Sequence, residues 1–403
     1  MLRLLPLVLG AFAIGAETFM VSGVLPQIAA DLHVTAAAAG SLVTIFAVAY
    51  AFGSPLIAAA TAGVERKRLL IVAIGAFAAA NLVAAVAPNF ASLAAARALL
   101  ALTAGTFMPA AIAFATALVS AERRGRAIAT IYGGMTAATV IGVLAGTYLA
   151  SFAGWRAPFF GVAIVAALAA IGVAVVLPRV VGARVAGYGE RLAVARRPAV
   201  LQMLTLTALA LVGPFAINTF MGVLAESALG VGGDKLALVL AFFGVVSFVG
   251  SQFGGYAADR WNRERFLALV FVVLVLGFPL MSVGPYIGGG AGAALLFAGI
   301  GLWGLFGWAF PIVQQARLVT LDPALAPITL SLNISALYVG VAIGSSLGAW
   351  TIARWSVDAI GLVAGASEIA ALVWLGLTAA LKPAPKPAEG QASTEAVYLA
   401  AGE

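Results

Sequence analysis

LPLVLGAFAIGAETFMVSGVLPQI, residues 5 to 28, is an apolar run long enough to cross a bilayer, since about 20 apolar residues suffice for one helical span. Glu17 sits near its middle. An ionisable side chain at that depth is costly, so it faces a protein interior or a water path and marks function. Arg3 ahead of the run fits the start of a signal peptide. The run is nevertheless too long for an h-region, contains Glu17 and lacks a clear small-residue cleavage site. It is expected to be retained as the first span.

The rest of the chain repeats the pattern. Hydrophobic residues make up 63% of the 403 residues and charged residues 9%, with a mean hydropathy of +1.11, which excludes an ordinary soluble domain. Twelve spans are predicted: 5–28, 38–60, 69–88, 92–119, 127–150, 155–178, 199–223, 236–258, 266–287, 291–315, 328–352 and 358–381. Eighteen of the 22 lysines and arginines fall in the loops of one side. Arg156, Lys235 and Arg354 lie on the other, and Arg97 lies inside a span. By the positive-inside rule both termini are expected in the cytoplasm, in a multi-pass protein of the cell (inner) membrane.

The same distribution explains the pI near 10. Basic charge dispersed over short loops follows topology and forms no nucleic-acid-binding patch. The chain has no cysteine and one histidine, His33, in a predicted loop. Disulfides, thiolate sites and clustered metal ligands such as H-E-x-x-H are therefore excluded. No cofactor, metal or enzymatic activity is expected.

Two features split the chain into halves. Residues 179–200 hold five arginines with Gly182, Gly187, Gly189 and Pro198 and read as a cytoplasmic linker between six spans and six. The halves also match each other. A shift of 197 places Gly53-Ser54 on Gly250-Ser251 and Arg66-Lys67-Arg68 on Arg263-Glu264-Arg265; a shift of 201 places Glu17-Thr18-Phe19-Met20 on Asn218-Thr219-Phe220-Met221. Weak internal symmetry of this kind marks secondary transporters, whose sites lie at the repeat interface near the midplane. Glu17 and Asn218 are expected to face each other there. The expected domains are 1–180 and 199–381, two six-helix bundles, with a linker at 181–198 and a disordered tail at 382–403.

The eighth span ends Gly254-Gly255-Tyr256-Ala257-Ala258-Asp259-Arg260-Trp261-Asn262-Arg263, which resembles the G-x-x-x-D-R-x-x-R loop motif of the major facilitator superfamily. In the first half the copy is eroded, with Ala62 and Gly63 in place of the Asp-Arg pair. That erosion resembles the twelve-helix drug/proton antiporter branch containing arabinose, chloramphenicol and purine efflux proteins. Gly15-Ala16-Glu17-Thr18-Phe19 and Gly23 to Leu32 look like its first-helix signature, with the carboxylate one position earlier than in several relatives. Arg97 with Gly105, Gly134, Gly142 and Gly146 with Leu144 where many relatives have proline, Gly154-Trp155-Arg156, and Ser331-Leu332-Asn333 with Gly340, Gly344 and Gly348 complete the likeness.

The resemblance implies an all-α membrane protein of twelve transmembrane helices in two pseudo-symmetric bundles, acting as a monomer on a small-molecule substrate and protons. Glu17 and Arg97 are the implied proton-coupling residues. Counted at 1.5 Å per residue, they lie about 16 Å and about 9 Å from the outer ends of their spans, a gap a long arginine bridges. The protonation of a carboxylate depends on desolvation and neighbouring charge, so alternating access is expected to let Glu17 take a proton outside and release it inside. The implied cavity residues are Thr18, Tyr132, Thr136, Asn218, Thr219, Trp308, Gln314, Asn333 and Tyr338. The implied inner gate is Asp259, Arg260 and Arg263, and Gly134, Gly142 and Gly146 are packing glycines.

The leading expectation is proton-coupled export of a drug, sugar or purine-like compound. An uptake carrier or facilitator of the same fold is the alternative, and a membrane enzyme or sensor is a more distant one. Within the site, a purely structural Glu17–Arg97 pair competes with proton coupling. Glu368, a second carboxylate inside the twelfth span, is expected to meet another polar group or a partner surface.

Overall fold

The computed structural model describes residues 4–61, 63–120, 124–178, 188–230, 234–322 and 325–380. Twelve helices among them are long and apolar enough to cross a membrane. They are α1 Leu5–Asp31, α2 Ala36–Ala58, α3 Arg66–Ala85, α4 Phe90–Ala117, α5 Thr130–Ala153, α6 Arg156–Val176, α7 Pro198–Thr219, α8 Leu238–Arg260, α9 Arg263–Ile287, α10 Gly289–Leu321, α11 Ile328–Arg354 and α12 Val357–Ala379. Helices satisfy every backbone group internally, as a bilayer demands. The expected tail at 382–403 lies outside the described residues.

The halves are built alike. In the first, α1 packs on α5 and α6, α2 on α4, and α3 on α4 and α6; in the second, α7 packs on α11 and α12, α8 on α10, and α9 on α10 and α12. The matched glycine-serine pairs occupy matched interfaces. Ser54 of α2 donates to the Gly105 carbonyl of α4 at 2.7 Å, while Gly250 of α8 lies against the Gly304 and Leu305 carbonyls of α10. Equivalent helix starts are capped at the same shift of 197. Glu65 accepts from the Lys67 amide at the start of α3, and Asn262 accepts from the Glu264 and Arg265 amides at the start of α9.

Small residues set the closest approaches. A Cβ on Gly142 of α5 would lie 2.6 Å from that of Ala16 in α1, and one on Gly146 would lie 3.1 Å from that of Met20; Gly134 lies against the Val8 carbonyl. On α11, Gly340, Gly344 and Gly348 meet the Ala208, Val212 and Ala216 carbonyls of α7 in the same way. Without a hydrophobic drive between helices in lipid, such contact lets dispersion hold the bundle. Leu144, in the proline position of the resembling branch, follows a π-helical turn at Ala138–Gly142. That turn changes the register of α5 beside Glu17.

Two pseudo-equivalent pairs join the bundles, α2 with α11 and α5 with α8. Thr44 and Ser345 share a hydroxyl hydrogen bond of 2.7 Å, Gly40 lies against Phe220, and Gly244 lies against the Thr139 carbonyl. A break at Leu211 divides α7 into Pro198–Ala210 and Val212–Thr219, because Pro214 has no N–H for the Ala210 carbonyl. The predicted linker contains a helix, Tyr188–Ala195, whose Arg191 donates to the Ser331 hydroxyl of α11 at 2.8 Å.

The ends of two spans differ most from expectation. The structure extends α10 to Leu321, so Arg317, read from the sequence as a loop cation, is a buried helix residue at 8% exposure. Arg156 opens α6, within the predicted span 155–178, and donates to Asp31 at 2.6 Å and to the Ala87 carbonyl at 3.2 Å. Trp155 also donates to Asp31, at 3.1 Å. Asp31 and Trp155-Arg156 thus clamp the end of α1, the turn between α3 and α4 and the start of α6 together. Finally, the seventh span stops at Thr219 and a separate helix, Met221–Leu229, follows it.

Candidate functional site

Glu17 is fully buried, and one of its carboxylate oxygens, Oε1, pairs with Nη1 of Arg97, itself 1% exposed. The arginine is held on two further sides. Its Nε donates to the Leu42 carbonyl at 3.3 Å, and its guanidinium lies 4.4 Å from the centre of the Phe46 ring, a cation–π contact that strengthens away from water. The second carboxylate oxygen of Glu17, Oε2, has no hydrogen-bond partner among the described residues. α1, α2 and α4 therefore converge on one carboxylate that keeps a free lone pair.

Aromatic side chains cover this pair. Tyr50 of α2 stacks on Tyr338 of α11, centres 3.9 Å apart at 22°, and both rings neighbour Phe46. Tyr132 lies on α5, partly buried. Across the bundles, Phe19 meets Trp308 at 5.6 Å. Tyr50 and Phe46 escaped sequence reasoning because an aromatic inside an apolar run carries no anomaly.

The remaining cavity candidates divide into two groups. Thr18 and Thr136 bond their own helix at the Ile14 and Tyr132 carbonyls. Thr219 does the same at Phe215, and Asn218 is buried beside it at 8% exposure. Gln314 and Asn333 join a separate buried network. Thr207 donates to Asn333 at 2.7 Å, Gln314 donates to Thr207 at 3.1 Å and to the Met203 carbonyl at 2.8 Å, and Arg317 donates to Gln314 at 2.9 Å. This network ties α7, α10 and α11 within the second bundle.

Arg317 continues toward Glu264 at 3.7 Å and borders a cleft of about 860 Å³ that also touches Asp259, Arg263 and Thr320. The cleft opens among α7, α8, α9, α10 and α12, all of the second bundle. Arg263 donates to the Ala258 carbonyl at 3.0 Å and to Thr320 at 3.1 Å, and Arg260 lies over Tyr256 of its own helix at 4.8 Å. Asp259 is exposed and makes no ion pair with either arginine. The three gate candidates are thus near one another, with Arg263 alone bridging helices.

Glu368 of α12 is fully buried with neither oxygen hydrogen-bonded among the described residues. It lies against Gly213, beside the break in α7. No side-chain hydrogen-bond partner for it is found among the described residues. Among the described residues no group of three or more His, Asp or Glu is placed to hold a metal ion.

The family profile of the Major Facilitator Superfamily matches residues 7–317. The chain belongs to this superfamily. An uncharacterized MFS-type transporter of Bacillus subtilis, YbcL, is 31% identical over 363 residues, covering 90% of this chain and 92% of the relative. A chloramphenicol resistance protein of Streptomyces lividans is 37% identical over 286 residues, 69% of this chain and 73% of the relative. Among solved structures, the nucleoside transporter NupG superposes with a TM-score of 0.74 at 12% identity, over 95% of this chain and 100% of that one. That likeness concerns the fold. The superfamily membership makes the protein a multi-pass membrane transporter, and the paired bundles are its two pseudo-symmetric halves.

Proposed function

We propose that this superfamily member is a proton-coupled exporter of small organic compounds, a monomer with both termini in the cytoplasm, working by alternating access between its bundles. The observation that carries the reading is the buried Glu17, with one oxygen on Arg97 and the other unpartnered. A proton on the free oxygen leaves only a neutral hydrogen-bond acceptor facing the guanidinium, and charge-assisted bonds are about twice as strong as neutral ones. Protonation therefore loosens the tie between α1 and α4, and deprotonation restores it. The positive-inside distribution supports the orientation. The likeness to a protein named for chloramphenicol resistance supports a drug-like cargo and an outward direction.

Proteoliposomes test the proposal. Chloramphenicol, then sugars and purines, are added while proton movement is followed, and the measurement is repeated with Glu17→Gln and Arg97→Ala. Substrate-dependent proton movement that disappears in Glu17→Gln is the expected result. Proton-driven flux unchanged in that variant would sink the assignment. Inverted vesicles report direction, since an exporter fills them when they are energised and an uptake carrier does not.

A further inference from the structure

One ring around the ion pair belongs to the wrong bundle. Glu17, Phe46, Tyr50 and Arg97 are carried by α1, α2 and α4 of the first bundle, whereas Tyr338 comes from α11 of the second. Tyr338 and its neighbour Val341 are nonetheless part of the apolar core of the first bundle. The Tyr338 ring stacks on Tyr50 at 3.9 Å and meets Phe46 at 5.9 Å, and Phe46 supports the Arg97 guanidinium. Tyr338 is 5% exposed and Tyr50 3%.

We infer that Tyr338 is the seal of the proposed proton site, a positioning residue through which the motion of one bundle controls access to a carboxylate in the other. The inference rests on the proton-coupling reading above. A tyrosine buries about 150–250 Å², far more than a water path requires. When the bundles rock apart, Tyr338 leaves with α11 while Glu17 stays with α1. Water and protons then reach the free oxygen in one conformation and are shut out in the other. A rigid pair buried within a single bundle would have no such dependence on bundle orientation.

The full-length protein permits a direct test, the rate at which dicyclohexylcarbodiimide modifies Glu17, read by peptide mass spectrometry. Tyr338→Ala should raise that rate at least about fivefold, the change in an opening equilibrium that corresponds to about 1 kcal/mol. Tyr338→Phe and Tyr338→Trp keep a ring in place and should restore slow labelling. Glu368, equally buried in α12, is the internal control and should label at its original rate.

Unchanged Glu17 labelling in Tyr338→Ala overturns the seal, and so does a parallel rise at Glu368, which would reveal general loosening. Labelling tests the seal independently of coupling. If Glu17→Gln keeps proton-driven flux, the proton reading fails while the labelling rates still decide whether Tyr338 closes the carboxylate off.

Discussion

Arg97 of α4 is bonded to Glu17 of α1 at a depth where neither side chain meets solvent. Removing one partner of a buried pair leaves the other charge uncompensated, at a cost of about 3–5 kcal/mol. Arg97→Ala should therefore lower the unfolding temperature clearly, and adding Glu17→Gln should recover much of the loss. Intrinsic fluorescence of the seven tryptophans in detergent reports both. Equal destabilisation by Arg97→Ala alone and by the double variant would argue against charge pairing as the stabilising contact.

Thr44 and Ser345 bridge the bundles through their hydroxyls. The chain lacks cysteine, so Thr44→Cys with Ser345→Cys gives a disulfide test free of background thiols. Oxidation should lock α2 to α11 and stop transport, and reductant should restore it. Undiminished flux from fully cross-linked protein would show that this contact persists throughout the cycle.

Gly344 leaves no room for a side chain, because a Cβ there overlaps the Val212 backbone. Backbone cannot swing aside as a flexible side chain does. Gly344→Val should destabilise by about 1–3 kcal/mol or more and lower the yield of folded protein. Gly376→Ala, where a Cβ meets nothing within 4 Å, should be harmless. Comparable losses in both would remove close packing as the explanation.

Glu368 presents the opposite case, a buried carboxyl with neither oxygen bonded among the described residues. Replacing an unsatisfied buried polar group with an apolar one of similar size relieves a penalty of about 1–3 kcal/mol. Glu368→Met should raise the unfolding temperature and leave transport intact. A stable variant that no longer transports would instead place Glu368 in the proton or substrate pathway.

Legibility in the sequence followed the size of the anomaly each residue presents. Glu17, Arg97 and Glu368 stand out because a charge in an apolar run contradicts its surroundings. Arg317 was misplaced because an arginine near a span end has the composition of a loop, and only the long α10 shows it buried. The arginine's nearby polar residues gave a weak signal, since Gln314 lies three residues earlier on the same helix face. Tyr50 and Phe46 gave none. Asp259 and Arg260 matched a motif by spacing, but the bonds that link helices are made by Arg263.

The sequence by itself determined the twelve spans, their division into matched halves and the family, because hydropathy, small-residue spacing and duplication are properties of the chain order. Tertiary structure decided the partners. The pairing of Glu17 with Arg97 joins residues 80 positions apart, and Tyr338 crosses from one bundle into the core of the other. Apolar periodicity tells a helix that it must bury a face, whereas the choice of neighbour depends on side-chain shape and polar satisfaction across helices, which no single segment encodes.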